Sequence, residues 1–238
     1  MNEDEFIPGI YNHCYRWCER CDFTQQCRVY HDSQKQLKET KNKDDFVKIV
    51  SQNLNKALEM LISFAEEKGI DLDAIENDDE SYKESQQKTE NARKHPLAEK
   101  SMYYLNEVED WLNDNEHLKK VQNRYLKNID LGIHLNDSDN ALKTIEEALN
   151  IITWYQFQIH VKLVSAVRSY PHDSYFEDEI QNRYHSSAKI ALIGIENSMK
   201  AWQSVLELLK DDEDFILERL MGLQQLKTMV YKNFPLVD

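Results

Sequence analysis

The sequence predicts an all-α protein, an antiparallel bundle of four to five long helices with a small N-terminal four-cysteine module. The chain has five glycines and four prolines in 238 residues, too few for the many special turns of an α/β fold or a β-sandwich. Apolar residues recur at three- and four-residue steps over long stretches, and no window shows the alternation typical of a strand. A chain of this length buries enough surface to be stable without disulfides or metal cross-links.

The first half of the chain predicts two long helices with a polar segment between them. Apolar spacing indicates a helix from about Asp45 to Lys68, with Gly69 as its C-terminal cap. Pro96 suits the first position of the next helix, which is expected to run to about Ile129. The acidic segment 75–94 has little apolar surface to bury and predicts a mobile loop or an exposed helix.

Three further helices are predicted in the second half of the chain. One runs from about Ser138 to Tyr170, with Ser138 or Asp139 as its N-cap, and another runs from about Tyr175 to Lys210. A last helix ends before Pro235.

Two segments of these helices are apolar nearly all the way round, namely Ile151 to Val167 and Ala188 to Met199. Such helices are buried on most sides, so both are expected at the centre of the bundle. Gly194 lies in the second segment and would let another helix approach closely.

All the cysteines of the chain fall in one short stretch with the spacing C-x3-C-x2-C-x5-C: Cys14, Cys18, Cys21 and Cys27. On a continuous helix the first and third would stand about 10 Å apart. Thiolates that share one tetrahedral zinc must lie within about 4 Å of each other. A shared site therefore requires the backbone to turn between residues 19 and 22.

Four interpretations of this cysteine cluster compete, and the count of four with no leftover favours a structural zinc bound by four thiolates. An iron–sulfur cluster is the alternative, because four thiolates satisfy it equally and spacing alone does not choose the metal. Disulfides and unligated thiols are the other two interpretations. His13 and His31 flank the cluster and are interpreted as surface histidines, since four thiolates already complete a ligand shell.

The cluster defines a predicted domain organisation. Residues 1–31 form a cysteine-rich metal-binding module, and residues 32–238 form the helical bundle on which it docks. The apolar contacts that dock the module are expected from four side chains: Trp17, Phe23, Val29 and Tyr30.

The first three cysteines resemble the C-x3-C-x2-C triad of radical S-adenosylmethionine enzymes, over eight residues. That family carries its triad on a loop of an α/β barrel, usually with an aromatic residue before the third cysteine, where this chain has Arg20. A helical chain with five glycines does not supply the barrel, and the assignment is rejected.

Charge and motifs exclude several function classes. A net charge of −14 argues against binding to nucleic acid or to an anionic membrane, since both require basic patches. The acidic start predicts no secretory signal, and no run approaches the roughly 20 apolar residues that span a bilayer. The predicted location is therefore the cytoplasm, where cysteines stay reduced unless a metal holds them. Phosphate-binding loops, the Gly-x-Ser-x-Gly nucleophile motif and the Glu-x-x-His pairs of di-iron bundles are also missing.

One looser group of polar residues lies on the two nearly all-apolar helices and just before them: Glu147, Gln156, His160 and Glu196. If both helices are central, these groups are at least partly buried and need partners. They predict either a hydrogen-bonded core network or a small-ligand or metal pocket between the helices.

Three functions follow as hypotheses. The first is a metal-binding structural protein whose acidic surface meets a protein partner. The alternative is an iron–sulfur protein that transfers electrons, and the third is an enzyme with its pocket in the bundle core.

Overall fold

The structure is a computed structural model, and it describes residues 6–39, 43–70, 79–113, 116–170 and 183–235. The described residues form eight α-helices and several short 3-10 turns, with no strand among them. The all-α prediction is confirmed. Within these ranges no helix combines the length and the apolar character needed to cross a bilayer. The chain divides into two compact units, Met1–Gln87 and Lys88–Asp238.

The first unit contains the cysteine cluster and the helices α1 (Arg28–Glu39) and α2 (Lys43–Lys68). A third helix, α3 (Asp79–Arg93), continues into the second unit. For the acidic segment 75–94 the sequence predicted either a mobile loop or an exposed helix. The structure shows a helix from residue 79 onward, and residues 75–78 lie outside the described part. The predicted domain boundary at residue 31 falls inside α1.

Helix α2 confirms the predicted helix and its cap. Gly69 has a φ of 63°, and the N–H of Ile70 donates to the carbonyl of Ala65 at 2.8 Å, which is the hydrogen bond of a Schellman cap. The apolar face of this helix is largely exposed, with Leu54 at 66% and Leu61 at 63% of their accessible surface. The regular apolar spacing thus predicted the helix correctly, but it did not predict which element would cover the apolar face.

The second unit carries five further helices: α4 (Pro96–Asn113), α5 (Glu116–Asp130), α6 (Leu135–Ser169), α7 (Arg183–Leu206) and α8 (Glu213–Asn233). Pro96 opens α4 as predicted. The helix predicted from Pro96 to about Ile129 is described as α4 up to Asn113 and as α5 from Glu116, and residues 114–115 lie outside the described part.

The start of α6 also differs from the prediction. The helix begins at Leu135, after His134 in a left-handed conformation with a φ of 46°, so neither Ser138 nor Asp139 is its N-cap. The N–H of Ser138 already donates to the carbonyl of His134, and its side chain is buried. The helix predicted over 175–210 is observed as α7 from Arg183, and residues 171–182 lie outside the described part.

The core of the second unit lies around α6 and α7, which make the most extensive helix–helix contact. Helix α6 also contacts α4 and α5, and α8 contacts α7 and α4. Ile152 and Ile159 of α6 and Ile195 of α7 are fully buried. Phe157 is 64% exposed, so α6 keeps one face in solvent although its sequence is apolar on most sides.

Gly194 lies at the contact between α6 and α7. A Cβ at this position would stand 3.0 Å from Cγ1 of Ile159 and 3.1 Å from Cδ1 of Tyr155.

We therefore expect Gly194→Ala to destabilise the protein by about 1–3 kcal/mol through overpacking. Gly222→Ala on α8 is the matched control, since nothing lies within 4 Å of its Cβ position. The control should gain about 0.5–1 kcal/mol from helix propensity. Urea unfolding measures both, and equal effects would contradict the close approach.

Candidate metal centre

The cysteine cluster lies in a chain segment built from three short 3-10 turns: Ile10–His13, Cys18–Arg20 and Thr24–Gln26. Cys14, Cys21 and Cys27 each directly follow one of these turns in an extended conformation, and Cys18 opens the second turn. The four cysteines therefore do not lie on one continuous helix, which would have held the first and third about 10 Å apart.

Backbone hydrogen bonds fold this segment back on itself. The N–H of Cys21 donates to the carbonyl of Cys18 at 3.2 Å, and the N–H of Cys27 donates to the carbonyl of Thr24 at 3.3 Å. The N–H of Ile7 donates to the carbonyl of Gln26 at 3.0 Å, which joins the two ends of the segment. The chain thus turns between residues 18 and 21, as a shared ligand set requires.

All four cysteines line one cavity of about 340 Å³, here called the thiol cavity. Aromatic side chains form much of the rest of its wall: Tyr11, Tyr15, Trp17, Phe23 and Tyr30. Arg16 and Asp22 also line it and supply one charge of each sign. Four soft sulfur donors around one space are the ligand set of zinc and iron–sulfur sites.

The cysteines that line this cavity are not arranged as a metal-ligand group. Over the described ranges, no group of three or more His, Cys, Asp or Glu side chains is arranged to hold a metal ion. The Sγ of Cys14 lies 3.4 Å from the carbonyl oxygen of Tyr11. Each cysteine side chain is half-buried, and none forms a disulfide.

The thiols lie within electrostatic reach of one another. Partial burial raises the pKa of the Cys18 thiol, and the negative charges of Cys14, Glu19, Cys27 and Cys21 raise it further. Several thiolates in one place therefore repel each other. A bound cation removes that repulsion by coordinating all of them at once.

Arg16 adds backbone strain between the first two cysteines. Its φ of 56° is in the left-handed region, which non-glycine residues adopt at a cost of order 1 kcal/mol. Four residues on, the guanidinium of Arg20 lies 4.0 Å from the ring centroid of Trp17, a cation–π contact.

This segment has no hydrophobic core of its own. Among the side chains described between residues 6 and 38, none is buried, and Phe23 and Val29 are about half exposed. Segments this short rarely bury enough apolar area to fold alone, and natural ones use disulfides or a metal. Its defined turns therefore need a stabilising element other than apolar burial.

The flanking histidines take no part in the thiol cavity as far as the structure describes them. His31 is half-exposed, with Nδ1 3.6 Å from a carboxylate oxygen of Asp32, and its ring packs against Phe6 at 5.6 Å. The side chain of His13 lies outside the described part of the chain.

The polar residues predicted between the central helices have different surroundings in the structure. Glu147 is exposed beside a surface groove, and the Oε1 of Gln156 is buried with no hydrogen-bond partner among the described residues. Glu196 accepts a hydrogen bond from Lys227 at 2.7 Å, and this contact raises the pKa of that lysine.

His160 is buried, as expected for a residue on a central helix. Its Nδ1 lies 3.0 Å from Oγ of Ser101 on α4, whose hydroxyl donates to the carbonyl of Ala98 at 2.9 Å. Burial lowers the pKa of His160, a hydrogen bond with the Ala98 backbone opposes that shift, and Arg93 lowers it further. The expectation that His160 is at least partly buried and hydrogen-bonded is therefore met, with Ser101 as its side-chain partner.

This depressed pKa makes stability depend on pH. Below the unfolded-state value of 6.5, the unfolded chain binds a proton at His160 that the folded chain does not. Stability from this group is complete above that value and decreases as the pH falls through the lower folded pKa. Unfolding free energies from pH 7.5 to 5 should fall more steeply for the wild type than for His160→Leu. Parallel curves would show that His160 does not titrate differently on folding.

Sequence reasoning identified the cysteines but missed part of the site. Tyr11, Tyr15 and Arg16 line the thiol cavity and were not singled out. The dense aromatic residues beside the first two cysteines were the available signal, since aromatic side chains so close to metal-ligand candidates commonly form the site wall.

Comparisons with known proteins add no assignment. No protein-family model, no curated protein and no solved structure matches this chain significantly.

Proposed function

We propose that this chain is a metal-binding protein whose four cysteines bind one thiolate-ligated metal centre. The observation that carries the proposal is that all four line the same cavity, although they are spread over fourteen residues of sequence. Both the structural zinc favoured from the spacing and the alternative iron–sulfur cluster use this ligand set.

The role that fits the surrounding structure is a structural one. The segment around the cluster has tight turns, and none of its described side chains is buried, so a metal supplies the cross-links that a core would otherwise supply. The helices of the second unit then act as a bundle scaffold, and the acidic chain offers a surface for a protein partner in the cytoplasm.

Metal analysis of the purified chain tests this proposal. Protein prepared without oxygen and without added chelator should contain bound metal, and replacing any one of the four cysteines by serine should remove most of it. His31→Ala is the matched control, because His31 is adjacent to the cluster but does not line the thiol cavity. A wild type free of zinc and iron, or serine variants that keep their metal, would contradict the proposal.

A further inference from the structure

We propose that the apolar face of α2 pairs with the same face of a second copy of this chain, as two antiparallel helices. Three properties of this helix carry the proposal: the spacing of its apolar side chains, their exposure and their sizes. The dimer is independent of the metal centre, because none of the four cysteines lies on α2.

The apolar side chains of α2 recur in the pattern of paired helices. Six of them follow one another at alternating steps of three and four residues and are here called the α2 seam: Val47, Val50, Leu54, Ala57, Leu61 and Phe64. This spacing places two positions of every heptad on one side of the helix, as in coiled coils. The seam extends over about 26 Å of helix axis, which suits a second helix lying alongside.

Every residue of the α2 seam is exposed to solvent. Leu54 keeps 66% of its accessible surface, and Phe64 keeps 54%. Single exposed apolar side chains are common on protein surfaces, whereas a continuous row of them marks a protein interaction site. The spacing indicates that the occupant of this site is a helix.

The positions that flank the seam carry no ionisable group. From residue 51 to residue 65 they are Ser51, Asn53, Leu58, Met60 and Ala65. Leu58 and Met60 are themselves exposed and widen the apolar face. The chain has a net charge of −14, so two copies repel each other. An uncharged face allows them to meet without placing like charges in contact.

The sizes of the seam side chains favour a second copy in the antiparallel orientation. When two seams run in opposite directions about a centre between residues 54 and 57, each large side chain faces a smaller one of the other copy, in three pairs: Phe64 with Val47, Leu61 with Val50, and Leu54 with Ala57. Such alternation fills an interface to the density of a protein core.

A parallel pair lacks this complementarity, because each position faces itself. Two Phe64 rings would then crowd each other, and two Ala57 side chains would leave a gap. The antiparallel contact uses the same patch on both copies, so it closes at two chains and does not build a filament.

Sedimentation equilibrium of the full chain tests the proposal, with a reductant present so that disulfides between copies do not mimic the dimer. We expect a particle of twice the chain mass of 28.3 kDa that dissociates on dilution. Leu61→Glu should raise the dissociation constant at least about a hundredfold, because each copy then buries an unpaired carboxylate. Gln52→Glu is the matched control, since it adds the same charge to α2 outside the seam and should change nothing. Circular dichroism should show equal helix content in both variants.

A double variant tests the orientation. In Val50→Lys/Leu61→Glu the introduced lysine of each antiparallel copy faces the introduced glutamate of the other, so at least about tenfold of the lost affinity should return. In a parallel pair like charges meet, and the double variant should be no better than Leu61→Glu.

A wild type that stays monomeric at every concentration would overturn the proposal, and so would a dimer that Leu61→Glu leaves intact. A double variant that recovers no affinity would overturn the antiparallel orientation.

Discussion

Cys18→Ser is expected to abolish metal binding and unfold the segment around residues 6–38, while the helices of the second unit still melt cooperatively. None of the side chains described in this segment is buried, so we expect a bound metal to supply most of its folding free energy. Structural zinc sites contribute about 10–16 kcal/mol in small peptides, far more than the loop contacts here supply. The second unit contains its own buried core and does not depend on this contribution.

Two measurements check this result. Hydrogen exchange should show lost protection at the amides of Cys21 and Cys27 in the variant, and circular dichroism should retain the helical transition of the second unit. His31→Ala should behave like the wild type in both. Loss of all helical signal in Cys18→Ser would show that the centre is integral to the folding of the whole chain.

Trp202→Ala is expected to cost about 3–5 kcal/mol of unfolding free energy, the range for truncating a fully buried aromatic side chain. Trp202 lies on α7 with no exposed surface, and its ring packs edge-on against Trp111 at 5.2 Å. Its Nε1 donates to the hydroxyl of Tyr104 at 3.1 Å. Burial raises the pKa of Tyr104 to about 12, so truncation leaves a neutral buried hydroxyl without this donor as well as a cavity.

Phe157→Ala is the matched control, since the ring is also aromatic but mostly exposed on α6. We expect it to change stability by less than about 1 kcal/mol, as for most surface substitutions. Chemical denaturation followed by circular dichroism measures both variants. A Trp202→Ala loss no larger than that of Phe157→Ala would contradict the core assigned to the second unit.

Local sequence signals predicted much of the helical structure. Gly69 and Pro96 fix helix ends through backbone conformation alone, so their positions could be read directly from the chain. The close packing at Gly194 was also predictable, because only a residue without a side chain admits Ile159 at that distance.

What depends on distant contacts could not be predicted. Arginine is usually a surface residue, yet Arg219 is only 2% exposed. It forms ion pairs with Glu107 at 2.9 Å and Glu218 at 2.7 Å. Its partner Glu107 is on α4, far away in sequence, so no local pattern marks it. The exposed apolar face of α2 shows the converse, since periodicity identifies a face but not what covers it.

The cysteine cluster lies between these two cases. Its count and spacing predicted a shared site, and the turns that the site required are present between residues 18 and 21. The size of the thiol cavity was not predictable, because it depends on side chains such as Tyr11 and Tyr30 that spacing rules do not address.

X-ray absorption at the metal edge of the purified protein tests the central claim most directly, since it identifies the atoms bound to the metal. The account predicts a first shell made only of sulfur. A first shell containing nitrogen or oxygen would contradict coordination by Cys14, Cys18, Cys21 and Cys27 together.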